Sequence, residues 1–306
     1  MCEAGGVSIE PPAPDEPRRP HGPRDPGDAW VVAPTGERYW GLFGAAGLLA
    51  FDARRGVLLQ HRVSWSHFGG TWGLPGGARH EGESAGDGAL REAAEEAGVP
   101  AGAVRRRFTS ILDLGYWSYT TLVGDVAEKF EPVIADPESV ELSWVPVDAV
   151  ESYPLHPGFA DAWGHLRALL DVRPAIVVDV ANVMGSVPDG WWKDRGGAAE
   201  RLLQRLSTLA GDGVPAAALE LAADRWFPVW VAVLEGQARV ADAPEGGVRV
   251  VRASGSGDDA IVEQAADLVA TGHAVTVVTS DRELVSRVTD AGTMARGTRW
   301  LLDLLG

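Results

Sequence analysis

Three glutamates lie close together in one short stretch of the sequence. Glu92, Glu95 and Glu96 stand at positions i, i+3 and i+4, and on an α-helix these positions share one face. Because like charges at this spacing repel one another, such a cluster usually has a cation that neutralises it. Carboxylate oxygens without neighbouring cysteine or histidine suit Mg²⁺ or Mn²⁺ better than zinc. The other interpretation is a solvated, glutamate-rich helix face that binds nothing.

Further residues stand at fixed intervals around these glutamates. Gly77 is followed by five residues and Glu83, and then by seven residues and the run Arg91-Glu92-Ala93-Ala94-Glu95-Glu96-Ala97-Gly98-Val99. A solvated helix face accounts for neither Glu83 nor the glycines. Ser84 is placed to cap the helix, and Arg91 is the natural partner of Glu83 or of a helix carboxylate.

This stretch resembles the box of the Nudix family at every fixed position. The resemblance covers roughly residues 38–168 and implies an α/β/α sandwich. It also implies metal-dependent hydrolysis of a pyrophosphate bond in a nucleoside diphosphate linked to another moiety, with Mg²⁺ or Mn²⁺ as cofactor. The resemblance implies that the three helix glutamates bind the metal. It also implies that one of them, or a more distant glutamate, activates the attacking water. The catalytic residues implied are Glu83, Arg91, Glu92, Glu95 and Glu96.

Residues outside these positions complete the expected site. Gly76 and Gly77 let the backbone turn tightly and bring a bare carbonyl close to a cation, so we expect Gly76 at the metal and Gly77 at the substrate. Trp72 is expected to stack on a base, although aromatic residues beside strands often belong to a core. Glu141 precedes a strand end and is either a further metal ligand or base, or an ordinary surface charge.

The sequence from about Pro174 onwards has the pattern of a second α/β domain. Apolar runs at 175–180, 229–236, 248–254 and 274–280 alternate with helical patterns at 198–210, 260–272 and 283–292. This alternation predicts a parallel sheet with helices on both faces, which binds ligands at the carboxyl ends of its strands. The acidic residues expected at those ends are Asp179, Asp258, Asp259 and Asp281.

Together with Asn182, these residues resemble the motifs of the NYN group of PIN-like nuclease domains, which have a Rossmann-like parallel sheet. The resemblance covers residues 174 to about 303. It implies Mg²⁺ or Mn²⁺ held by several carboxylates for phosphodiester hydrolysis. The open alternative is that Asp258 and Asp281 simply cap helices.

The charge and the composition of the chain limit the classes of molecule that it can bind. The chain of 306 residues has 27 Lys and Arg against 43 Asp and Glu, a net charge of −16. Nucleic acids and anionic membranes are bound largely through Lys and Arg, so we expect no DNA-specific binding and no membrane binding. The one candidate for contact with RNA is a local cluster of Trp191, Trp192, Lys193 and Arg195. The alternative for this run is a structural loop. The single cysteine, Cys2, fits a reducing, cytoplasmic compartment, and the arginine-rich, lysine-poor composition fits a high-GC bacterial genome.

The sequence thus predicts three parts. These are a disordered proline-rich tail (1–29), a Nudix hydrolase domain (30–171) and an NYN/PIN-like domain (172–306). The expected function is hydrolysis of a nucleotide or nucleotide derivative by the first domain, with ribonuclease activity in the second. The alternative is a nucleotide-sensing regulatory or RNA-binding module without turnover.

Overall fold

The structure is a computed structural model that describes residues 6–12, 27–188 and 190–306. The chain divides into two compact units, Met1–Leu170 and Asp171–Gly306. The helices of the first unit are α1 (Ala85–Ala97) and α2 (Pro157–Leu169). Its strands are β1 (Ser8–Glu10), β2 (Trp30–Val32), β3 (Arg38–Trp40), β4 (Ala45–Asp52), β5 (Gly56–Arg62), β6 (Trp72–Gly73), β7 (Gly76–Ala78), β8 (Val104–Asp113), β9 (Ser118–Val126) and β10 (Ser139–Val145).

A mixed sheet forms the centre of the first unit. Its strands follow the order β10-β5-β4-β9-β8, with β6 beside β5 and β7 beside β4. The β4–β9 pair is parallel, and its neighbours in the sheet are antiparallel. Consecutive leucines in β4 (Leu48, Leu49) and in β5 (Leu58, Leu59) are all buried. Because successive side chains of a strand point to opposite faces, both faces of the sheet are covered.

Helix α1 carries the three glutamates and packs against β4, β7 and β9. It begins after Ser84, whose hydroxyl oxygen accepts a hydrogen bond from the Asp87 N–H at 3.1 Å. This confirms the predicted N-cap. The helix ends at Gly98, which has a φ of 63° and therefore a left-handed conformation that glycine adopts without strain. Three buried alanines, at positions 89, 93 and 97, let the helix lie close to the sheet.

A small antiparallel sheet, β1-β2-β3, precedes the central sheet. Its first strand, Ser8–Glu10, pairs with Trp30–Val32 and lies inside the segment 1–29 that the sequence predicts to be disordered. The pairing uses backbone hydrogen bonds, and Ile9 stays 59% exposed, so apolar patterning does not reveal this strand. Most of the expected tail, residues 1–5 and 13–26, lies outside the described residues.

The second unit contains a parallel sheet with helices on both faces. The strand order is β15-β14-β11-β16-β17, and every neighbouring pair is parallel. The strands of the unit are β11 (Pro174–Asp179), β12 (Val214–Pro215), β13 (Arg225–Trp226), β14 (Val229–Leu234), β15 (Val248–Arg252), β16 (Ala274–Val278) and β17 (Met294–Arg296). The helices are α3 (Val180–Gly185), α4 (Arg195–Asp212), α5 (Gly257–Ala270), α6 (Arg282–Asp290) and α7 (Thr298–Leu305).

Two apolar clusters cover the two faces of this sheet. Alternate residues of β11 belong to different clusters: Ile176 and Val178 pack with α3, α4 and α7, whereas Ala175 and Val177 pack with α5 and α6. The parallel sheet expected from the sequence is therefore present. Its assignment to the NYN group stays a prediction.

None of the helices in the described part of the chain combines the length and the apolar character that crossing a bilayer requires.

Truncating a central side chain of the second unit is expected to lower its stability. Ile176→Ala removes a fully buried side chain and leaves a cavity, which costs about 2–5 kcal/mol of unfolding free energy. Val240→Ala is the matched control, because Val240 is 76% exposed and should change stability by less than about 0.5 kcal/mol. Urea denaturation of the full chain measures both variants. Equal midpoints for the two variants would contradict the burial of β11.

Candidate active site

The three glutamates of α1 lie in different surroundings. Glu92 and Glu96 are buried, with 1% and 2% of their surface exposed, whereas the side chain of Glu95 is 46% exposed. Glu95 and Glu96 line a cleft of about 1660 Å³, and Glu92 does not. The shared helix face thus presents two of its three carboxylates to the cleft.

Arg91 binds the carboxylate of Glu83 in the predicted pair. Its Nε and Nη2 atoms donate to the two oxygens of Glu83 at 2.8 and 2.9 Å, and its Nη1 donates to Glu92 Oε1 at 2.8 Å. Hydrogen bonds from Arg91 are the main cause that lowers the pKa of Glu83. Burial opposes the charged form of Arg91, but its bonds to both carboxylates outweigh burial and raise its pKa. Two acidic groups are thus neutralised within the protein.

Glu96 is oriented by the backbone at the start of β7. The N–H of Gly76 donates to Glu96 Oε2 at 2.8 Å. A Cβ at Gly76 would lie 2.5 Å from the carbonyl oxygen of Ala46, so only glycine allows this close approach. The predicted role of Gly76 was a carbonyl ligand for the metal, whereas the contact seen here is made by its N–H and is directed at a predicted metal ligand.

The segment before β10 crosses the end of α1 and adds two acidic side chains. The N–H groups of Val133 and Ala135 donate to the carbonyls of Ala97 and Glu96 at 3.0 and 3.2 Å. These bonds place Asp136 and Glu138 beside the helix. Ligand oxygens of Glu96, Asp136 and Glu138 all lie within 4.8 Å of one another. An all-oxygen set of this kind fits Mg²⁺ or Mn²⁺.

Asp136 is held in place by a chain of hydrogen bonds. Its Oδ1 accepts from the Glu138 N–H at 3.1 Å and from Ser139 Oγ at 3.3 Å. Ser139 Oγ in turn accepts from Gln60 Nε2 at 2.8 Å. Gln60 is fully buried in β5, so the bond network links the acidic group to the core of the sheet.

Glu141 is not brought to this group. It is exposed and lies outside the residues that line the cleft. The pairing of β10 with β5 has an irregular register between Ser139 and Glu141, and the acidic positions next to Glu96 are those that precede the strand. Asp136 and Glu138 are therefore the residues that the sequence prediction missed. The local signal was the Asp-Pro turn before β10, but their proximity to Glu96 depends on a tertiary contact.

Trp72 is also placed differently from the prediction. It is 7% exposed, stacks on His61 with ring centroids 4.8 Å apart and packs edge-on against Tyr153. It does not line the cleft, whereas Gly77 does. An indole already enclosed by two rings has no free face for a base, so Trp72 belongs to the core.

The chain matches known proteins over this first unit. A family model described as the NUDIX domain matches residues 41–167. A Mycobacterium tuberculosis protein named "Putative 8-oxo-dGTP diphosphatase 3" is 48% identical over 154 residues, which cover 47% of this chain and 70% of that protein. The chain belongs to the Nudix family.

Two further Nudix proteins are similar over the same half of the chain. A Bifidobacterium longum protein named "Nucleoside triphosphate pyrophosphatase/Nudix hydrolase fusion protein" is 40% identical over 156 residues, covering 48% of this chain and 32% of that protein. The crystal structure of a Nudix hydrolase from M. smegmatis, RenU, has 47% identity and a TM-score of 0.43 and covers 47% of this chain and 94% of that one. The second unit lies outside the Nudix family match.

The second unit has its own acidic cavity, of about 500 Å³. It opens where the carboxyl ends of β11 and β14 meet the first turns of α3, α5 and α6. Among its lining residues are four of the five predicted positions, Asp179, Asn182, Asp258 and Asp281, together with Glu235.

Asp259 and Glu235 differ from the sequence prediction. Asp259 does not line the cavity and instead accepts a hydrogen bond from Arg287 at 2.6 Å. Adjacent residues of a helix point about 100° apart, and here Asp258 faces the cavity while Asp259 points towards Arg287. The sequence prediction did not include Glu235, although this residue directly follows β14. The sequence signal for it is an acidic residue at a strand end, the same signal as for Asp179 at the end of β11.

Some of the acidic residues that lie close together in this cavity also cap helices. Asp179 accepts from the Asn182 N–H at 3.0 Å, and Asp281 accepts from the Leu284 N–H at 3.0 Å, so both are helix caps. Asp258 is not a cap, because Ser256 has that position. Burial, and then the charges of neighbouring carboxylates, raise the pKa of both Asp179 and Asp258. The carboxylates of this cavity therefore repel one another when they are ionised.

Lowering the pH is expected to remove the stabilisation that Glu83 supplies. Arg91 lowers the pKa of Glu83 from its ordinary value of 4.5, so the ionised carboxylate favours the folded state. This contribution is complete above about pH 4.5 and is lost as the pH falls through the lowered pKa of the folded protein. We expect the difference in unfolding free energy between wild type and Glu83→Gln to shrink as urea titrations move from about pH 7 to about pH 3.

Glu141→Gln is the control for this experiment, because the side chain is exposed and its loss should change stability little at any pH. A gap between wild type and Glu83→Gln that stays constant over the same range would show that the charge of Glu83 does not stabilise the fold.

Proposed function

We propose that the Nudix domain hydrolyses a pyrophosphate bond in a nucleotide or nucleotide derivative with the help of Mg²⁺ or Mn²⁺. The observation that carries this proposal is the group formed by Glu96, Asp136 and Glu138, whose oxygens lie within 4.8 Å of one another in the cleft. The names of the similar proteins, which refer to 8-oxo-dGTP and to nucleoside triphosphates, favour a nucleoside triphosphate as substrate.

Each residue has a task in this reaction. Glu96, Asp136 and Glu138 would hold the cation, and Gly76 orients Glu96 through its N–H. A bound divalent cation neutralises negative charge on the phosphates and lowers the pKa of water. Glu95 lines the cleft with a half-exposed carboxylate that lies 3.5 Å from Arg91 Nη1, and it would accept the proton of the attacking water. Arg91 donates hydrogen bonds to the carboxylates of Glu83 and Glu92. Because these bonds neutralise both carboxylates, the two residues do not compete for the cation.

The rival proposal is a nucleotide sensor that binds the same ligand without cleaving it. In a sensor, the carboxylates that bind the cation or activate water can be replaced without loss. Here the four positions of the box that require glutamate are all occupied by glutamate, at residues 83, 92, 95 and 96. This favours turnover.

Neutralising a carboxylate of the cleft is expected to abolish turnover. In assays that measure nucleotide products, phosphate and pyrophosphate from a panel of nucleoside triphosphates with Mg²⁺, Glu96→Gln removes a cation ligand and Glu95→Gln removes a proton acceptor. We expect each to lower kcat by about 100-fold or more. Wild type should lose activity in EDTA and regain it when Mg²⁺ or Mn²⁺ is restored.

Glu141→Gln is the matched control, since its exposed carboxylate lies outside the cleft and its loss should leave turnover unchanged. Equal turnover in all these proteins would remove the catalytic assignment. Tight nucleotide binding by wild type without product release would favour the sensor.

For the second unit we propose metal-dependent cleavage of RNA. The supporting observation is the single cavity that gathers Asp179, Asn182, Glu235, Asp258 and Asp281 at the carboxyl ends of parallel strands, where such sheets bind ligands. When bound there, a divalent cation would polarise a phosphodiester and activate water. This activity would be separate from that of the Nudix domain, because its residues belong to another part of the chain.

RNA cleavage by the full chain is expected to depend on Asp179. A Glu96→Gln background removes the proposed Nudix turnover, and a labelled single-stranded RNA with Mg²⁺ or Mn²⁺ reports cleavage on a gel. Asp179→Asn should lower the rate by about 100-fold or more, whereas Asp290→Asn, at an exposed position, should not. Absence of cleavage with either metal would leave the second unit without nuclease activity.

A further inference from the structure

Aromatic and basic residues alternate in a short run of the second unit that neither proposed reaction uses. The run begins with a single turn of 3-10 helix, Trp191–Lys193, and Arg195 is the first residue of α4. The sequence leaves two interpretations of this run open, a contact with RNA and a structural loop. The two tryptophans lie in different surroundings, so each interpretation can be compared with the contacts of one ring.

Trp191 attaches this turn to the domain. It packs against the apolar cluster that α3 and α4 form with one face of the sheet. The guanidinium of Arg195 lies over its ring, 5.1 Å from the centroid. A Cβ added at Gly185 would lie 3.9 Å from Trp191 Cζ2, so the indole also reaches the end of α3. Trp191 therefore has a structural role, and it holds the turn in a fixed position.

Trp192 is exposed to solvent. It is 56% exposed, and its ring meets that of Trp191 at an interplanar angle of 84°, with centroids 6.2 Å apart. An edge-to-face contact of this kind covers at most one face of an indole. Among the residues that the structure describes, no other ring and no cation stacks on Trp192. At least one broad aromatic face is thus open.

Two cations accompany this open face. Lys193 follows Trp192 directly, and Arg195 lies on the neighbouring indole. Both are exposed, and neither forms an ion pair with any residue in the described part of the chain. Asp194, which lies between them in the sequence, accepts a hydrogen bond from the Gly197 N–H at 2.9 Å. Its carboxylate is therefore directed at the first turn of α4, where the helix dipole favours negative charge.

The turn lies next to the acidic cavity of the second unit. Gly185 is the last residue of α3; it lines that cavity and lies beside Trp191. Helix α3 begins directly after Asp179 and has six residues, so it is about 9 Å long. A nucleic-acid strand with one phosphate in the cavity would therefore need only a short stretch to reach the aromatic turn.

We propose that Trp192, Lys193 and Arg195 form a platform that binds single-stranded RNA beside the acidic cavity. One base stacks on the open face of Trp192, and the two cations bind neighbouring phosphates. Aromatic rings with adjacent cations bind single strands of any sequence, because every base has a π-face. The bases of a duplex are already stacked on one another, so the platform favours unpaired RNA.

The composition of this surface favours RNA over a protein partner. The centre of a protein interface is depleted of charged residues, lysine among them, whereas here two cations accompany the exposed indole. The inference rests on the proposed RNA cleavage by the second unit. It makes Trp192, Lys193 and Arg195 positioning residues, which hold the strand while the carboxylates of the cavity bind the cation.

Removing the exposed indole is expected to weaken RNA binding through the bases. Fluorescence anisotropy would measure binding of labelled oligo(A) with Mg²⁺ to the full chain carrying Glu96→Gln and Asp179→Asn, which removes both proposed activities. Adding Trp192→Leu should raise Kd by about 5-fold to 100-fold, and Trp192→Phe, which keeps an aromatic face, should recover most of that loss. Val140→Ala truncates another exposed apolar side chain, 54% exposed and in the first unit, and should leave Kd unchanged.

A strand of the same length without bases separates stacking from charge. The protein with Trp192 should bind oligo(A) more tightly than the baseless strand, and Trp192→Leu should bind the two strands equally. Two phosphate contacts predict a slope of about −1.4 for log K against log salt, and Arg195→Gln should reduce it to about −0.7. Arg54→Gln, in the exposed turn between β4 and β5, removes one positive charge elsewhere and should not change the slope.

These outcomes distinguish the platform from the nuclease. Cleavage that depends on Asp179, together with an unchanged Kd in Trp192→Leu, would reject the platform and leave the proposed nuclease intact. Base-dependent binding that is lost in Trp192→Leu would support the platform even if wild type cleaves no RNA. Equal binding of oligo(A) and the baseless strand by the protein with Trp192, or no binding of either, would overturn the inference.

Discussion

The hydrogen bonds of Arg91 are the interaction on which the first site depends. One guanidinium bonds to the carbonyl of Ala78 at the end of β7, to Glu83 in the loop that follows, and to Glu92 in the helix. Removing one partner of a buried ion pair leaves an uncompensated charge, which costs about 3–5 kcal/mol. The bonds of Arg91 also separate the glutamates into two groups. Glu83 and Glu92 are held by short hydrogen bonds to Arg91, whereas Glu95, which lies 3.5 Å from Arg91 Nη1, and Glu96 line the cleft.

Much of this site could be predicted from the sequence because its central part is local. The spacing of the glutamates fixes their face of the helix, Ser84 caps it, and Arg91 reaches Glu83 across one short loop. Asp136 and Glu138 could not be assigned in this way. They lie about forty residues further on, and they reach Glu96 only because backbone N–H groups of their segment bind the end of α1. The same limit explains why the equally acidic Glu141 was preferred and why Trp72 was assigned to the substrate rather than to the core.

In the second unit the alternation of strands and helices was sufficient to predict a parallel sheet, since buried parallel strands are apolar on both faces. The positions of strand ends then predicted which residues meet, and four of them line one cavity. The predicted residue that does not line the cavity lies in the same helical turn as one that does. Asp258 and Asp259 are neighbours in sequence, but helix geometry turns one carboxylate towards the cavity and the other towards Arg287. No sequence pattern determines which of the two faces inward until the packing of α5 against the sheet is known.

The aromatic side chains Trp30, His67 and Phe68, which line the Nudix cleft, have a consequence for how such a protein can diverge. The loop that carries Phe68 and the strand that carries Trp30 are separate from α1, and each meets the cleft through its own side chains. A duplicated copy of the gene could therefore accumulate changes in the loop and acquire a different nucleotide while the hydrolytic chemistry stays intact. Selection on the helix would then preserve the reaction, and changes at these aromatic side chains would alter the substrates that fit the cleft.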